Sequence, residues 1–327
     1  MSRIAILGAG VIGLSTALAL RRRGEVVRVF EAHTPGRGSS WAGAGILYPL
    51  LPWDYDDTVN SWCARGLGLQ AEWLGGLRDD TGIDPEYRVT GMRVRDGVNP
   101  DALAWLRRHG QPFDRDGADL WLPTVAQVRN PRLVQALLLA CERSGVEVCG
   151  GMGTLTPRVE ADRATGVAWP GDAWAADAVV VCAGAWSSRS ADTFTPVFPV
   201  RGQMLALQAA EVPAPVVYED GRYLVPRQDG VVLVGSTMEY TGFDAATTPE
   251  AAGTLLAWAK RMHPALTADR VIRHWAGLRP GSRLNHPTVG RHPSITGLWL
   301  NIGHFRYGLT MAPACAEALA ERIVATT

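Results

Sequence analysis

Three glycines near the start of the chain have the spacing of a phosphate-binding turn. Gly8, Gly10 and Gly13 follow a short apolar run and open a longer apolar segment that continues to residue 20. In such a turn the first glycine permits the tight bend, the second lets the backbone approach a pyrophosphate, and the third lets a helix pack closely on a strand. The unpaired N–H groups at the helix N-terminus then bind the phosphate charge.

An acidic residue completes the pattern. A second apolar run, at residues 26–30, ends on Glu31, whose carboxylate can accept hydrogen bonds from an adenosine ribose. Strand, helix, second strand and terminal acid stand in the right order, so residues 3–31 predict a unit that binds FAD or NAD. A signal peptide or a membrane helix is not favoured, because the glycines interrupt the apolar run and the arginines at 21–23 follow it.

The composition narrows the classes of partner. The 327 residues include 32 Lys or Arg and 32 Asp or Glu, so the formal net charge is zero. Nucleic-acid and membrane partners usually require a basic patch, and we expect neither. The five cysteines show no CxxC spacing, which favours reduced thiols and no metal site. We expect a cytoplasmic protein without a targeting segment.

The elements that must position these residues follow from the apolar patterns along the chain. Helices are predicted over residues 57–80, 100–108, 131–144, 249–262 and 308–324. Unbroken apolar runs at 177–182 and 298–303 are typical of buried parallel strands that deliver a turn to a cofactor. Antiparallel strands are predicted at 200–207, 216–218, 223–226 and 231–236, and a further strand at 271–276.

The order of these elements predicts an α/β plus α+β fold. A Rossmann-type nucleotide-binding domain would be interleaved with a mostly antiparallel β-sheet substrate domain, and a ligand would lie in the cleft between them. We assign residues 1–84, 130–190 and 276–327 to the nucleotide-binding domain. Residues 85–129 and 191–275 are assigned to the substrate domain.

Motifs along nearly the whole chain resemble the FAD-dependent D-amino acid oxidase superfamily, and within it they are most similar to the glycine oxidases. The matching blocks, in the family's order, are residues 8–13 with Glu31, 39–47, 180–187, 199–203, 223–238, 275–281 and 303–313. The resemblance implies FAD as the cofactor. Sarcosine oxidases of this superfamily attach flavin through a cysteine upstream of the last block, but no cysteine lies between Cys182 and Cys315. We therefore expect noncovalent FAD.

The resemblance also implies the substrate-binding residues. Arg279 matches the arginine that binds the substrate carboxylate, and a planar guanidinium can do so with two parallel hydrogen bonds. Tyr223 matches a tyrosine whose hydroxyl binds the same carboxylate. Met238 matches an apolar residue of the small substrate pocket, and Arg306 matches a second arginine close to substrate and flavin. Taken without these blocks, Arg279 is typical of an exposed arginine and Tyr223 of a half-buried strand residue.

The cofactor-binding residues come from the same blocks. Gly308, Leu309 and Thr310 begin the last helix, whose positive N-terminus would face the flavin pyrimidine ring and stabilise negative charge there. The expected FAD-binding set is Gly8, Gly10, Val11, Ile12, Gly13, Glu31, Ala32, Ser39, Ser40, Ala44, Gly45, Leu47, Thr154, Ala183, Gly184, Trp186, Gly308, Leu309 and Thr310. His274 and His304 are not expected to act as a base, because amine oxidation in this family needs no obligatory protein base.

The implied reaction is the oxidative deamination of glycine, sarcosine or a small D-amino acid, by hydride transfer to flavin N5, to a 2-oxo acid, ammonia and hydrogen peroxide. Molecular oxygen is the implied co-substrate. A homo-oligomer such as a tetramer, and a role in thiamine biosynthesis, are implied by the resemblance alone. Three alternatives stay open: an FAD-dependent D-amino acid dehydrogenase that uses a quinone or carrier, an NAD-dependent dehydrogenase, and a catalytically silent flavin-binding protein.

Three departures from the glycine oxidase pattern border the expected site. Arg222 follows Gly221 where those enzymes tend to carry His-Cys, and His286 belongs to a Leu-Asn-His-Pro sequence that replaces an Asp-Gly. Tyr307 replaces an asparagine beside Arg306. These changes leave the preferred amino acid open.

Overall fold

Two large β-sheets organise the chain in the computed structural model, which describes residues 1–48, 51–212 and 214–326. The strands are β1 (Arg3–Leu7), β2 (Val26–Phe30), β3 (Ile46–Leu47), β4 (Arg88–Val89), β5 (Met92–Val94), β6 (Asp114–Asp116), β7 (Asp119–Leu122), β8 (Ala126–Gln127), β9 (Glu147–Cys149), β10 (Thr156–Glu160), β11 (Arg163–Trp169), β12 (Asp172–Ala175), β13 (Ala178–Val181), β14 (Val197–Gln208), β15 (Val216–Glu219), β16 (Arg222–Pro226), β17 (Val231–Gly235), β18 (Val271–Ser282), β19 (Thr288–Arg291) and β20 (Leu298–Ile302). The helices are α1 (Val11–Arg22), α2 (Ser39–Ala42), α3 (Asp57–Thr81), α4 (Pro100–Arg108), α5 (Asn130–Arg143), α6 (Ser187–Ser190), α7 (Pro249–Met262) and α8 (Gly308–Val324).

The first sheet is the nucleotide-binding one. Its six strands lie in the order β19-β20-β13-β1-β2-β9, and all neighbouring pairs are parallel except β19 with β20. All four residues of β13 are buried, as are residues 4–7 of β1, because both faces of a parallel sheet are covered. Helices α1, α3, α5 and α8 share one hydrophobic core with one face of this sheet. The small sheet β10-β11-β12 covers the other face.

The second sheet has eight strands in the order β18-β14-β17-β16-β15-β5-β7-β6. Its pairs are antiparallel except β5 with β15. Alternate residues of β14 point to opposite faces. Leu205 and Leu207 pack with Leu255 and Trp258 of α7, whereas Met204 packs with Met311 of α8. Helix α7 therefore closes one face of the sheet, and the other face meets the nucleotide-binding part.

Helix ends agree with local sequence signals. Helix α3 begins after Asp56, whose carboxylate accepts hydrogen bonds from the N–H groups of Thr58 at 3.0 Å and Val59 at 3.3 Å. It ends at Gly82, which takes the left-handed conformation typical of a C-cap. Helix α7 begins with Pro249 after the capping Thr248, as the sequence predicts.

The predicted fold class is confirmed, and so are the five predicted helices to within a residue or two at their ends. Strand β18 is longer than predicted, since it pairs with β14 as far as Ser282. Strands β3, β6, β7, β8 and β19 were not predicted. The domain division stays a proposal. Its border between residues 275 and 276 falls inside β18, so we propose to place that border after Ser282. Within the described ranges, no helix is long and apolar enough to cross a membrane.

Close packing fixes the start of α8, which lies near the ends of the nucleotide-binding strands. A Cβ atom at Gly66 of α3 would collide with the carbonyl oxygen of Thr310. One turn further along α3, the amide of Gln70 donates hydrogen bonds to the carbonyls of Leu309 at 3.0 Å and Thr310 at 3.1 Å. The absence of a side chain at Gly66 therefore lets α3 and α8 approach closely, and the amide of Gln70 joins them by hydrogen bonds.

We predict opposite effects for two Gly→Ala substitutions within α3. Gly66→Ala should lower the free energy of unfolding by roughly 1 to 3 kcal/mol, because the new methyl group overpacks the α3–α8 contact. It should also weaken FAD binding, because the start of α8 is displaced. A Cβ atom at Gly75 would meet no atom of another element within 4 Å, so Gly75→Ala should raise stability by about 0.5 to 1 kcal/mol. Urea unfolding and FAD titration measure both effects. Equal effects of the two substitutions would contradict this account of the packing.

Candidate active site

A cavity of about 640 Å³ lies at the carboxyl edge of the nucleotide-binding sheet. Strands β1, β2, β13 and β20 all end at this edge, because they are parallel. The residues that follow them, among them Gly8, Glu31, Ala183 and Gly303, line the cavity. The second sheet contributes its wall through residues such as Arg279. This is where an α/β sheet binds its ligand, and the volume lies in the range of cofactor sites.

One end of the cavity has groups suited to a pyrophosphate and a ribose. Gly8 has φ of 107°, a conformation that L side chains rarely adopt. The Glu31 carboxylate accepts hydrogen bonds from the N–H groups of Ala9 at 2.9 Å and His33 at 3.0 Å, which hold it beside the glycine turn. The hydroxyl of Ser40 accepts a hydrogen bond from the N–H of Val11 at 2.9 Å, at the start of α1.

The segment at residues 39–47 forms a wall that consists mainly of small side chains. Side chains from other parts of the chain hold it in place by hydrogen bonds to its backbone carbonyls. Trp275 Nε1 donates to the carbonyl of Ala42 at 2.9 Å, and Arg227 Nη2 donates to that of Ala44 at 2.7 Å. Asn130 Nδ2 donates to the carbonyl of Ser40 at 2.7 Å. Short side chains here leave room for a flat ring, so this wall fits the isoalloxazine part of a flavin.

The guanidinium of Arg279 lies at the other end of the cavity. Its Nη2 donates to Ser236 Oγ at 2.6 Å, and its Nη1 donates to the carbonyls of Thr237 at 3.3 Å and Arg201 at 3.4 Å. A Cβ atom at Gly202 would collide with it. Burial lowers its pKa, but an arginine stays protonated. Among the described residues no carboxylate forms an ion pair with Arg279, so its charge is open to an anion.

Tyr223 and Arg306 line the same cavity. Tyr223 is buried, and its hydroxyl lies 3.9 Å from Met204 Sδ. Arg306 Nη2 lies 3.8 Å from Met238 Sδ. In the part of the chain that the structure describes, Arg306 also forms no ion pair with a carboxylate. Two arginines of one cavity therefore carry charges that no acidic side chain neutralises directly.

The structure brings nearly all of the expected site residues together around this cavity. They are Gly8, Gly10, Val11, Ile12, Glu31, Ala32, Ser39, Ser40, Ala44, Gly45, Thr154, Ala183, Gly184, Trp186, Tyr223, Arg279, Arg306, Gly308 and Leu309. Four expected residues are not among the lining residues. Gly13 packs against the carbonyl of Gly8, Leu47 and Thr310 are buried, and Met238 is half-exposed beside Arg306. The roles of all these residues stay predictions.

Sequence reasoning missed several residues of the substrate end. Tyr48, Met204 and Ser236 line the cavity beside Arg279 or Tyr223. Met204 is buried, and its sulfur lies 3.9 Å from the Tyr223 hydroxyl, whereas Met238 is not a lining residue. The place of Met204 could have been inferred from strand alternation, because it lies two residues from Gly202 on β14. No sequence signal indicates Tyr48.

Only one of the three departures from the glycine oxidase pattern lines the cavity. Tyr307 is buried in its wall, with its ring edge-on to that of Tyr55 at a centroid distance of 5.0 Å. Arg222 pairs with Asp220 at 3.5 Å, and His286 pairs with Asp56 at the start of α3. Neither Arg222 nor His286 is a lining residue.

The five cysteines have free thiols. Cys182 lies in the cavity wall and Cys315 inside α8, and burial raises the pKa of both thiols. Both are therefore poor nucleophiles at neutral pH. This agrees with noncovalent FAD, which stays a prediction. No group of metal-ligating side chains was found in the described ranges.

Fold and cavity together define a two-sheet protein of the nucleotide-binding class, whose cavity is lined by two arginines that form no ion pair within the described ranges. The chain belongs to the DAO family of FAD-dependent oxidoreductases, whose family model matches residues 3–322. Glycine oxidases of Pseudomonas putida and Pseudomonas aeruginosa are 39% and 37% identical to it, over 96% and 98% of this chain and 92% and 94% of their own lengths. The crystal structure of iminodiacetate oxidase from Chelativorans sp. BNC1 superposes with a TM-score of 0.88 at 26% identity, over 99% of this chain and 96% of that one. The protein is an FAD-dependent oxidoreductase that acts on the CH–NH2 group of amino acids.

His304 is a buried histidine in the loop between β20 and α8. Burial lowers the pKa of its imidazole to about 3, so the ring is neutral at pH 7. An imidazole with so low a pKa is a weak base, which favours the expectation that His304 is not catalytic. In the unfolded chain its pKa is about 6.5.

We predict that His304 makes folding stability sensitive to mild acid. Because its pKa is lowered on folding, its contribution is complete above pH 6.5 and falls as protons bind to the unfolded chain below that pH. Between pH 6.5 and 5 the loss should be roughly 1 to 2 kcal/mol. His304→Asn should flatten this slope in urea unfolding, whereas His109→Asn, at an exposed site, should leave it unchanged. A wild-type slope in the His304→Asn variant would contradict the assignment.

Proposed function

We propose that this enzyme oxidises glycine, sarcosine or a small D-amino acid to the imine, which water hydrolyses to a 2-oxo acid and ammonia, or to a 2-oxo acid and methylamine when the substrate is sarcosine. Molecular oxygen would take the two electrons and yield hydrogen peroxide. The observation that carries the proposal is the cavity-facing guanidinium of Arg279, which in the described structure is held by neutral acceptors only. A substrate carboxylate is the anion that this geometry suits.

The residues of this chain would bind and orient the substrate. Arg279 would bind the carboxylate with two N–H donors, and the Tyr223 hydroxyl would add a third hydrogen bond from the same side of the cavity. This fixes the direction of the α-carbon, and orientation is a large part of the rate enhancement in such reactions. FAD, when bound, supplies the two-electron acceptor for the α C–H bond. The N-terminus of α8, at Gly308 and Leu309 in the cavity wall, would stabilise negative charge nearby.

The walls around Arg279 support a small substrate. Met204, Tyr223 and Tyr307 are all buried residues of the cavity wall, and bulky side chains of this kind favour a small substrate. The similar iminodiacetate oxidase is named for a secondary amine, which supports including sarcosine among the candidates. The order of preference among these amino acids is part of the proposal.

Two alternatives differ from this proposal in a measurable way. A dehydrogenase would reduce a quinone or carrier and release no peroxide. A silent flavin-binding protein would turn over no amino acid, but the arginine kept open in the cavity argues for a retained substrate site. A role in thiamine biosynthesis is also part of our proposal and is supported by the similar ThiO/ThiG proteins, such as that of Nostoc sp. PCC 7120. A homo-oligomer is proposed from the family resemblance alone.

We predict that Arg279→Met raises the KM for glycine or sarcosine by about a hundredfold or more, because two charge-assisted hydrogen bonds are lost. FAD should stay bound, as measured by flavin absorbance near 450 nm, about where oxidised flavins absorb. The matched control is Arg158→Met at an exposed site of β10, which should leave KM unchanged. Unchanged KM in Arg279→Met would show that Arg279 is not the carboxylate-binding residue.

The experiment that tests the proposed function is a peroxide-release screen of the FAD-loaded enzyme with glycine, sarcosine and D-amino acids. Peroxide with at least one of them is the expected result. Reduction of an artificial quinone without peroxide would instead favour the dehydrogenase. Bound FAD without turnover of any of them would contradict an amino acid oxidase.

A further inference from the structure

A polar network lies behind Arg279, on the opposite face of strand β14. Gly202 of this strand faces the Arg279 guanidinium, so its neighbours Arg201 and Gln203 point to the other face. Both are buried, at 5% and 0% exposure. Strand β14 therefore has Gly202 on the face toward the cavity and the side chains of Arg201 and Gln203 on the opposite face.

The carboxylate of Glu239 is the centre of this network. Its Oε2 accepts hydrogen bonds from Arg201 Nε at 2.9 Å and from Arg201 Nη2 at 2.5 Å. Its Oε1 accepts hydrogen bonds from Gln203 Nε2 at 2.9 Å and from the Thr237 hydroxyl. Burial alone would raise the pKa of Glu239, but the hydrogen bonds from Thr237, Arg201 and Gln203 lower it below its ordinary value. The group is thus an ionised carboxylate with two donors on each oxygen.

The same network joins two separate pieces of backbone. The N–H of Arg201 donates to the carbonyl of Glu239 at 2.9 Å, and the N–H of Glu239 donates to the carbonyl of Arg201 at 2.9 Å. The Thr237 hydroxyl accepts from the N–H of Gln203 at 2.8 Å. The segment at residues 236–239 is therefore fastened to β14 by backbone and side-chain hydrogen bonds together.

Three acceptors of Arg279 lie on these two pieces, whereas the hydroxyl of Tyr223, a further hydrogen-bonding partner, belongs to β16. The Arg201 carbonyl belongs to β14, whereas Ser236 Oγ and the Thr237 carbonyl belong to the fastened segment. The distance between segment and strand consequently sets where the guanidinium lies. The charge of Glu239 acts on Arg279 from a distance, but among the described residues no hydrogen bond or ion pair joins the two side chains. An effect of Glu239 on the position of the guanidinium would therefore pass through the backbone.

We propose that Glu239 is a positioning residue for substrate recognition, which holds segment 236–239 on β14 and thereby fixes the three acceptors that aim Arg279 into the cavity. The inference rests on the proposed role of Arg279 as the carboxylate-binding residue. Glu239 itself touches neither substrate nor cofactor in this assignment. Its removal should change substrate binding more than the turnover of bound substrate.

The chain offers a matched control for this idea. Asp244 pairs with the same arginine, its Oδ2 lying 2.7 Å from Arg201 Nη1. Its other hydrogen bond is accepted from the N–H of Ala246 at 2.8 Å, not from residues 236–239. The side chain of Asp244 is 55% exposed and that of Glu239 is 24% exposed. If Arg201 only needed a negative charge beside it, loss of either carboxylate would weaken substrate binding. If segment 236–239 has to be positioned, only the loss of Glu239 would do so.

The test compares Glu239→Gln with Asp244→Asn in the FAD-loaded enzyme. Steady-state kinetics with the best amino acid give KM and kcat, and titration with acetate, followed by the flavin absorbance change, gives the affinity for a bare carboxylate. We expect Glu239→Gln to raise both KM and the acetate Kd by about tenfold or more, since small misplacements of a binding group have effects of this size. The kcat should change by less than about threefold, and Glu239→Asp should recover part of the affinity. Asp244→Asn should leave every value within about twofold, as for an exposed ion pair.

Thr237→Val keeps the proposal testable if Glu239→Gln does not fold with FAD, because it removes one donor of Glu239 and keeps the side-chain shape. It should raise KM and the acetate Kd in the same direction. Equal KM and acetate Kd in Glu239→Gln and wild type would overturn the proposal, and so would a loss confined to kcat. If wild type binds acetate but oxidises no amino acid, the proposed function fails while the acetate comparison still decides the role of Glu239.

Discussion

The charge of Arg279 is the constraint on which the substrate end of this enzyme depends. Removing a guanidinium from water without an ionic partner is costly, and here three neutral acceptors offset part of that cost. The charge of Glu239 favours the protonated guanidinium from a distance, but its carboxylate oxygens hydrogen-bond to Arg201, Gln203 and Thr237 and not to Arg279. An anion that entered the cavity would therefore offset part of the remaining cost, and a small carboxylate matches the guanidinium in shape.

Hydrogen bonds to backbone carbonyls also tie the cofactor wall to the substrate sheet. Residues 39–47 come from the nucleotide-binding part, yet Arg227 of the other sheet donates to the Ala44 carbonyl and Trp275 to that of Ala42. Burial lowers the pKa of Arg227 to about 10, which still leaves it charged at neutral pH. Because the acceptors are backbone atoms, these bonds position the backbone of residues 42 and 44 rather than their side chains. The spacing between a flavin ring and the carboxylate-binding arginine would thus be set by the backbone of both sheets.

The sequence predicts the nucleotide-binding end well because its signals are local. Gly8, Gly13 and Glu31 owe their places to sterics and hydrogen bonds within one strand–helix–strand unit, and the structure brings them to one turn. The substrate end depends on residues far apart along the chain. Three acceptors of Arg279 are two backbone carbonyls and one hydroxyl, which no residue pattern encodes. For the same reason, the sequence around Gly202 matches the family pattern but does not show why a glycine is needed there. Only the pairing of β14 with β18 shows that Gly202 leaves room for the Arg279 guanidinium.

Of the three departures from the glycine oxidase pattern, only one lies where it could affect substrate preference directly. Arg222 forms an ion pair with Asp220, and His286 contacts the carboxylate of Asp56. Neither residue lines the cavity, so they act on its shape only indirectly. Tyr307 is different, since its ring is buried in the cavity wall against Tyr55. A phenol in place of an asparagine amide adds a ring to the cavity wall, and its hydroxyl is engaged in a hydrogen bond with Tyr55. If the preferred amino acid differs from glycine, the physical reason is therefore to be sought at Tyr307, where a small apolar α-substituent would meet less desolvation cost than a polar one.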